Sequence, residues 1–174
     1  MQKGREKMHN SIETLLHDFL RKVPLFDTLH DDELAVVGKH ITIFELDQGN
    51  FLFKEGQAGD SVCFLLSGSL DVIKQTDKNM VEIATLSKGC TVGEMSIVDE
   101  SKRSATVKAR QKSSLATLSR EDFENILEKY PKIGVKMLKA LLKYLSMNMR
   151  RTSKQLAGYM EDYMSLLFDY RKRF

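Results

Sequence analysis

Apolar residues recur along this chain with two different periods, and the change of period divides it into three stretches. Ile12, Leu15, Leu16, Phe19 and Val23 fall three or four apart, the spacing of one helix face. That predicts a helix over 11–22, stopped by Pro24, whose ring removes a backbone donor and clashes with a continuing helix. His30-Asp31-Asp32-Glu33 opens a second short helix, its acids placed where the positive end of the helix dipole favours them. From residue 41 to residue 119 the pattern shortens to extended runs broken by polar or glycine turns: 41–46, 51–54, 62–66, 70–74, 81–86, 105–109 and 115–118. Ile41-Thr42-Ile43 and Leu70-Asp71-Val72 alternate as half-buried strands do. Many short strands at regular spacing predict a sandwich or a jelly-roll barrel.

The helical period then returns. Ser119 is placed to cap a helix over 121–128, with Asp122 three residues on as in a capping box. Pro131 ends that helix and can open the next from its first turn. Stepping three and four residues from Leu142 meets Leu145, Met149, Thr152, Leu156, Tyr159, Tyr163, Leu166, Tyr170 and Arg173, a heptad seam. The start of this helix should pack on the barrel near Leu138 and Leu142. Beyond about Met149 it should outrun the barrel, since each residue adds about 1.5 Å. The stripe there predicts a homodimer. Gly158 weakens the helix locally and marks a place for a bend or break. The expected fold is mainly β with α: a jelly-roll β-barrel flanked by N-terminal helices and a long C-terminal helix. The expected units are an N-terminal helical segment (1–22), the barrel domain (23–131) and a C-terminal helical dimerisation region (132–174).

Composition narrows the function classes. A chain of 174 residues suffices for one domain with a real core. Met1-to-Asn10 is polar, with no secretory or transit pattern, and no apolar run approaches a transmembrane span. Cys63 and Cys90 make no paired motif and read as free thiols in a reducing compartment. A cytoplasmic location is expected. Residues 132–174 carry ten Lys/Arg against three Asp/Glu, and residues 1–131 seventeen against twenty-one. The basic excess of the last helix is either its solvated face or a surface for an acidic protein, an anionic membrane or nucleic acid. His9, His17, His30 and His40 show no metal-ligand spacing. Neither a phosphate loop nor a Gly-x-Ser-x-Gly elbow is present, so no enzyme, metal or cofactor is expected.

The candidate chemistry lies in Val92-Gly93-Glu94-Met95-Ser96 and in Lys102-Arg103-Ser104-Ala105-Thr106-Val107. A glycine lets backbone approach closely, and a carboxylate can accept from a ribose hydroxyl. An arginine fork matches two phosphate oxygens, and small residues follow whose amides could face the same anion. One helical turn after Gly93 would add its N-terminal amides. The ordered set is suited to a cyclic phosphate ester of a sugar. For Arg103 alone, a surface salt bridge is the competing explanation.

On these residues the chain resembles the cyclic-nucleotide-binding domain family, which includes the catabolite activator protein and the regulatory subunits of protein kinase A. The family's phosphate-binding cassette is matched by Gly93, Glu94, Arg103, Ser104 and Ala105. Val23-Pro24-Leu25-Phe26 and Asp32-Glu33-Leu34 are similar to its helical entry, and Gly49, Gly56, Gly59-Asp60-Ser61 and Gly68 fall at its strand turns. Val92 departs from the common aromatic residue, and Lys102 from the proline of kinase-type members. The resemblance implies a receptor for cAMP, or second for cGMP, with Gly93, Glu94, Met95, Ser96, Arg103, Ser104 and Ala105 at the ligand. Ser104 is compatible with both nucleotides. It also implies a lid over the base from the last helix, where Asn148 could read a base edge, while seam packing explains Met149 and Thr152 equally well. Too little chain follows Met149 for a helix-turn-helix, so sequence-specific DNA binding is not expected. A non-binding scaffold of the same fold, or an electrostatic adaptor docking its basic helix, are the alternatives.

Overall fold

The computed structural model describes residues 16–171, with side chains through residue 168. The expected first helix is present over residues 16–20 (α1); its positions 11–15 lie outside the described residues, as do Arg173 and the side chain of Tyr170. A 3-10 turn, Pro24–Phe26, and α2, Asp31–Gly38, follow. The His30 amide donates to Glu33 Oε2 at 2.9 Å, closing the start of α2.

Eight strands come next: β1 (Ile41–Leu46), β2 (Phe51–Phe53), β3 (Ser61–Ser67), β4 (Ser69–Gln75), β5 (Met80–Ser87), β6 (Thr91–Val92), β7 (Thr106–Ala109) and β8 (Ser113–Ser119). A short helix α3, Glu94–Asp99, separates β6 from β7. The strands form two antiparallel four-stranded sheets, β1-β8-β3-β6 and β2-β7-β4-β5, the jelly roll that the spacing predicts. Seven runs of the sequence pattern became strands. The eighth, β6, holds two residues, too few for any period, and exists through its pairing of Cys63 with Val92 and Phe64 with Thr91.

The run 62–66 is continuously apolar because β3 is covered on both faces. Cys63 and Leu65 point into the barrel with Leu70, Val92, Val107 and Leu115. Val62 and Phe64 point the other way, into a larger core with Leu20, Phe26, Leu34, Ile126 and Met137 from the helical layer. The rings of Phe26 and Phe64 meet at 5.1 Å between centroids, a tilted packing that aromatic quadrupoles favour.

Helix α4, Arg120–Lys129, is capped as its sequence predicts, Ser119 Oγ accepting from the Asp122 amide at 3.0 Å. The Asp122 carboxylate returns to the Ser119 hydroxyl at 2.6 Å, not to its amide, and meets His40 Nδ1 at 2.8 Å. Helix α5 then runs unbroken for 41 residues, Pro131–Arg171. It passes through Gly158 without interruption, since one glycine costs a helix only about 1 kcal/mol relative to alanine.

Its docking face differs from the expected one by a residue. Ile133, Met137, Ala140 and Leu141 are buried, with Leu138 and Leu145 half-buried against them. Leu142 is 67% exposed where Leu141 is 3%. A helix turns about 100° per residue, so Leu141, one turn after Met137, faces the core while Leu142 is carried round toward solvent. Leu145 therefore belongs to the docking face. Lys136 grips both oxygens of Glu33, at 2.8 and 2.6 Å, and Lys143 approaches Asp27 at 3.6 Å. From Met149 onward the described side chains of α5 are exposed.

Candidate functional site

Four backbone decisions build the site. Gly93 has φ 80°, in the left-handed region that glycine enters without penalty, and turns the chain from β6 into α3. Gly59 lets α3 approach: a Cβ there would lie 2.2 Å from the Cβ of Ser96. Ile97 buries α3 in the core. The return segment is pinned by a bridge from Lys102 to Ala58, by the Arg103 amide on Gln57 O at 2.8 Å, and by the Gly56 amide on Arg103 O at 2.9 Å.

These anchors send the Arg103 side chain inward, where the residue is only 5% exposed. Nη1 donates to Ser61 O (2.8 Å), Gly93 O (3.2 Å) and Ser96 Oγ (2.9 Å). Nη2 donates to Ser61 Oγ (3.1 Å) and reaches Asp60 at 3.5 Å. The guanidinium lies over the Phe53 ring, 4.2 Å from its centroid, a favourable cation–π arrangement. Nε is buried without a protein partner. Burial lowers the guanidinium's pKa from its ordinary value, against the opposing pull of the Asp60 and Glu94 carboxylates. Arg103 is not the surface ion-pair residue that its sequence context also allowed.

Glu94 sits half-buried at the start of α3. Burial raises its carboxyl pKa, resisted by its own backbone amide and by Arg103. Ser96 is buried, its hydroxyl taken up between Gly93 O (3.1 Å) and Arg103. It holds the arginine in place. Met95 is exposed, with its sulfur 3.8 Å from the Ser104 hydroxyl.

One cavity of about 310 Å³ gathers all eight residues expected at a ligand: Gly93, Glu94, Met95, Ser96, Arg103, Ser104, Ala105 and Asn148. Thr152 joins them; Met149 does not line it. Such a volume lies at the small end of the range of about 300–1,000 Å³ typical of small-molecule sites. Apolar side chains from β4 and β5, Val72, Ile83, Ala84 and Leu86, also line the cavity. A larger space of about 650 Å³ shares Arg103 and Phe53 with it as lining residues. Of the expected residues it touches Arg103 alone, so the smaller cavity is the candidate site.

Several residues of the site were not anticipated. Tyr144, Arg151 and Gln155 line the cavity from α5. Their signal was available, because 144, 148, 151, 152 and 155 follow one helix face through Asn148. The Tyr144 hydroxyl donates to Thr91 O at 3.3 Å, and burial raises its pKa while a bond with Asn148 opposes the rise. Lys74 Nζ bonds Glu55 (2.5 Å) and Ser104 O (2.6 Å), steadying the segment after Arg103. Arg120 bonds the carbonyls of Gly59 and Ser96, linking α3 to the first residue of α4. Nothing in sequence spacing points to Lys74 or Arg120; only the fold brings them there.

Among the described residues no group of three or more His, Cys, Asp or Glu side chains gathers as a metal would require. No helix of the described residues is long and apolar enough to cross a membrane. The cavity thus offers a buried cation, a carboxylate, small-residue backbone and an apolar wall. A family model for the cyclic nucleotide-binding domain matches residues 43–130. The chain belongs to that family.

The chain is similar to segments of cyclic-nucleotide-dependent kinase proteins and to a solved domain of the same family. It is 32% identical over 109 residues to a cAMP-dependent protein kinase regulatory subunit of Yarrowia lipolytica, covering 63% of this chain and 28% of that one. It is 29% identical over 128 residues to cGMP-dependent protein kinase, isozyme 1, of Drosophila melanogaster, covering 71% of this chain and 16% of that one. The chain therefore spans less than a third of the length of these curated relatives. A crystal structure of a cyclic nucleotide-binding domain from Methylobacillus flagellatus superposes with a TM-score of 0.77 at 28% identity, covering 85% of this chain and 84% of that one. Among the described residues, a single helix follows α4.

Proposed function

We propose that this domain is a receptor for a cyclic nucleotide, cAMP ahead of cGMP, which signals by reorienting α5. The observation that carries the proposal is Arg103, whose Nε is a buried donor without a protein partner and whose side chain lines the cavity that also holds Glu94. A buried donor left unmet costs about 1–3 kcal/mol, and a cyclic phosphate would meet it with a charge-assisted bond. The Glu94 carboxylate would accept from the ribose 2′-hydroxyl, and the small residues Ser104 and Ala105 leave room for the phosphate. Val72, Ala84 and Leu86 would flank the base, with Asn148 and Thr152 on its α5 side. Ser104 is compatible with both nucleotides. The two kinase-type relatives are one named for cAMP and one for cGMP.

Because Tyr144, Asn148, Arg151, Thr152 and Gln155 all line the cavity, an occupant would touch α5 directly. It would shift the helix to the extent that it binds one arrangement better than another. Met149, Leu156, Tyr159, Tyr163 and Leu166 stand exposed along the distal half of α5. An apolar surface of that extent favours a second copy of the helix, giving a homodimer.

The same guanidinium also supports an alternative, a barrel that keeps the fold without binding nucleotide, because both its terminal nitrogens already have protein acceptors. Calorimetric titration with cAMP, cGMP and a cyclic dinucleotide separates the two. The receptor is expected to bind cAMP most tightly and to melt at a higher temperature in its presence. An unchanged melting temperature at millimolar cAMP and cGMP would leave only the scaffold. Light scattering at tens of micromolar tests the dimer, and a monomer mass would reject it.

A further inference from the structure

We propose that Ser153, on the exposed half of α5, is an acceptor for an arginine-directed serine/threonine protein kinase. Three hydroxyl residues of the sequence stand three places after an arginine: Thr106, Ser113 and Ser153. The fold closes the first two. Thr106 is buried in β7, its Oγ1 accepting from the Glu55 amide at 3.0 Å. Ser113 is fully buried at the start of β8, its hydroxyl donating to Gln111 O at 2.8 Å. Ser153 alone of the three is exposed, and so are Arg150 and Arg151, which precede it by three and two residues.

Two guanidinium groups upstream of a hydroxyl are a charge pattern that a kinase groove lined with carboxylates can read, each planar fork pairing with one carboxylate. Kinases take their acceptor segment in extended form, so the helix must open locally. It is suited to do so. Every described side chain from Met149 onward is exposed, so opening this stretch breaks ladder hydrogen bonds but uncovers little packed apolar surface, the mark of a region of low local stability. In the transfer, Ser153 Oγ bonds to the γ-phosphorus of a nucleoside triphosphate. The bond from that phosphorus to the β,γ-bridging oxygen breaks, the nucleoside diphosphate leaves, and the hydroxyl proton passes to the kinase's general base.

The product adds a charge of about −1.5 to −2 at a sensitive place. Met149 and Leu156 lie four residues before and three after Ser153, on the same helix face and both exposed. If that face pairs with a second copy, as proposed above, the phosphate sets like charges against each other within the pair and drives the copies apart.

The test is incubation of the whole chain with an arginine-directed kinase and γ-labelled ATP, with the site mapped by mass spectrometry. Incorporation approaching one phosphate per chain at Ser153 is expected, lost in Ser153→Ala and slowed at least tenfold in kcat/KM by Arg150→Ala. Labelling of a synthetic peptide over residues 146–160 but not of the folded chain would overturn the proposal, since the helix would then close the site. So would label confined to Thr152 or to another residue. Sedimentation of the modified and unmodified chains reads the consequence separately. A dimer that survives stoichiometric phosphate at Ser153 would overturn the regulatory consequence. An unmodified chain that is already monomeric would reject the pairing and leave the acceptor judged by incorporation.

Discussion

Arg103 Nη1 lies 3.2 Å from the carbonyl oxygen of Gly93, and a Cβ added to Gly93 would come within 2.2 Å of the same nitrogen. The glycine is thus needed twice, for its left-handed φ of 80° and for the space the guanidinium fills. Gly93→Ala is expected to cost about 1–2 kcal/mol for the backbone conformation alone, and more through displacement of Arg103. Thermal denaturation should show the loss, and calorimetry should show cAMP affinity falling at least tenfold. A variant of parental stability and affinity would mean that Gly93 and Arg103 are not in contact.

Arg103 holds the fold as well as facing the cavity. Arg103→Lys keeps the charge but removes the planar fork that reaches Ser61 O, Ser96 Oγ and the Phe53 ring together. Buried acceptors left without donors cost about 1–3 kcal/mol, so chemical denaturation should report a loss in that range without ligand. An arginine that served only the ligand would leave folding untouched.

Much of this was legible along the chain, for identifiable reasons. Runs such as 41–46 stand out as short mixed apolar and polar stretches between turns, but their period is not a guide to burial throughout: Ile41 packs on the helical core and Phe44 and Leu46 on the barrel core, while Ile43 is exposed. The eight expected ligand residues fall together because they flank a single reversal, Gly93 to Ala105, plus Asn148 on the helix that crosses it. What escaped depends on geometry that spacing does not carry. The spacing points to Leu142 as a packing residue, and only the docking angle of α5 shows that Leu141 takes that place. Arg120 reads as an ordinary helix-start residue until the fold carries the carbonyls of Gly59 and Ser96 to it. Tyr144 lay within reach, one turn before Asn148.

Glu94 sets folding against binding. Burial raises its carboxyl pKa in the folded protein. Such a group contributes stability while protonated, in full below its unfolded value of about 4.3, and that contribution is lost as pH rises through the higher folded value. Glu94→Gln should therefore melt at a higher temperature than the parent at neutral pH without ligand, and the difference should vanish on acidification below the unfolded value. The same variant should bind cAMP about tenfold more weakly, since a hydrogen bond to a charged acceptor is worth about 1.5–3 kcal/mol. Melting temperature against pH for both proteins tests the first half. A lower melting temperature at neutral pH would show that attraction to Arg103 outweighs the cost of burial.

Leu141 and Leu142 give the sharpest test of how α5 is seated. Leu141 is 3% exposed and packs with Met137 and Ile133 on the helical core; Leu142 is 67% exposed. Truncating a buried leucine removes its transfer energy and leaves a cavity that the neighbours fill only in part, about 2–5 kcal/mol in all. A surface leucine carries neither penalty, and changes there usually stay within about 0.5 kcal/mol. Urea unfolding of Leu141→Ala and Leu142→Ala should therefore differ by at least about 1.5 kcal/mol, the lower limit left by those two ranges, with Leu141→Ala the weaker fold. A dimer seam reaching back to Leu142 would appear differently, as a concentration-dependent midpoint shifted by Leu142→Ala. Equal losses in the two variants at low concentration would mean that α5 sits on the barrel rotated by about one residue. The face carrying Tyr144, Asn148, Arg151 and Gln155 would then turn away from the cavity with it.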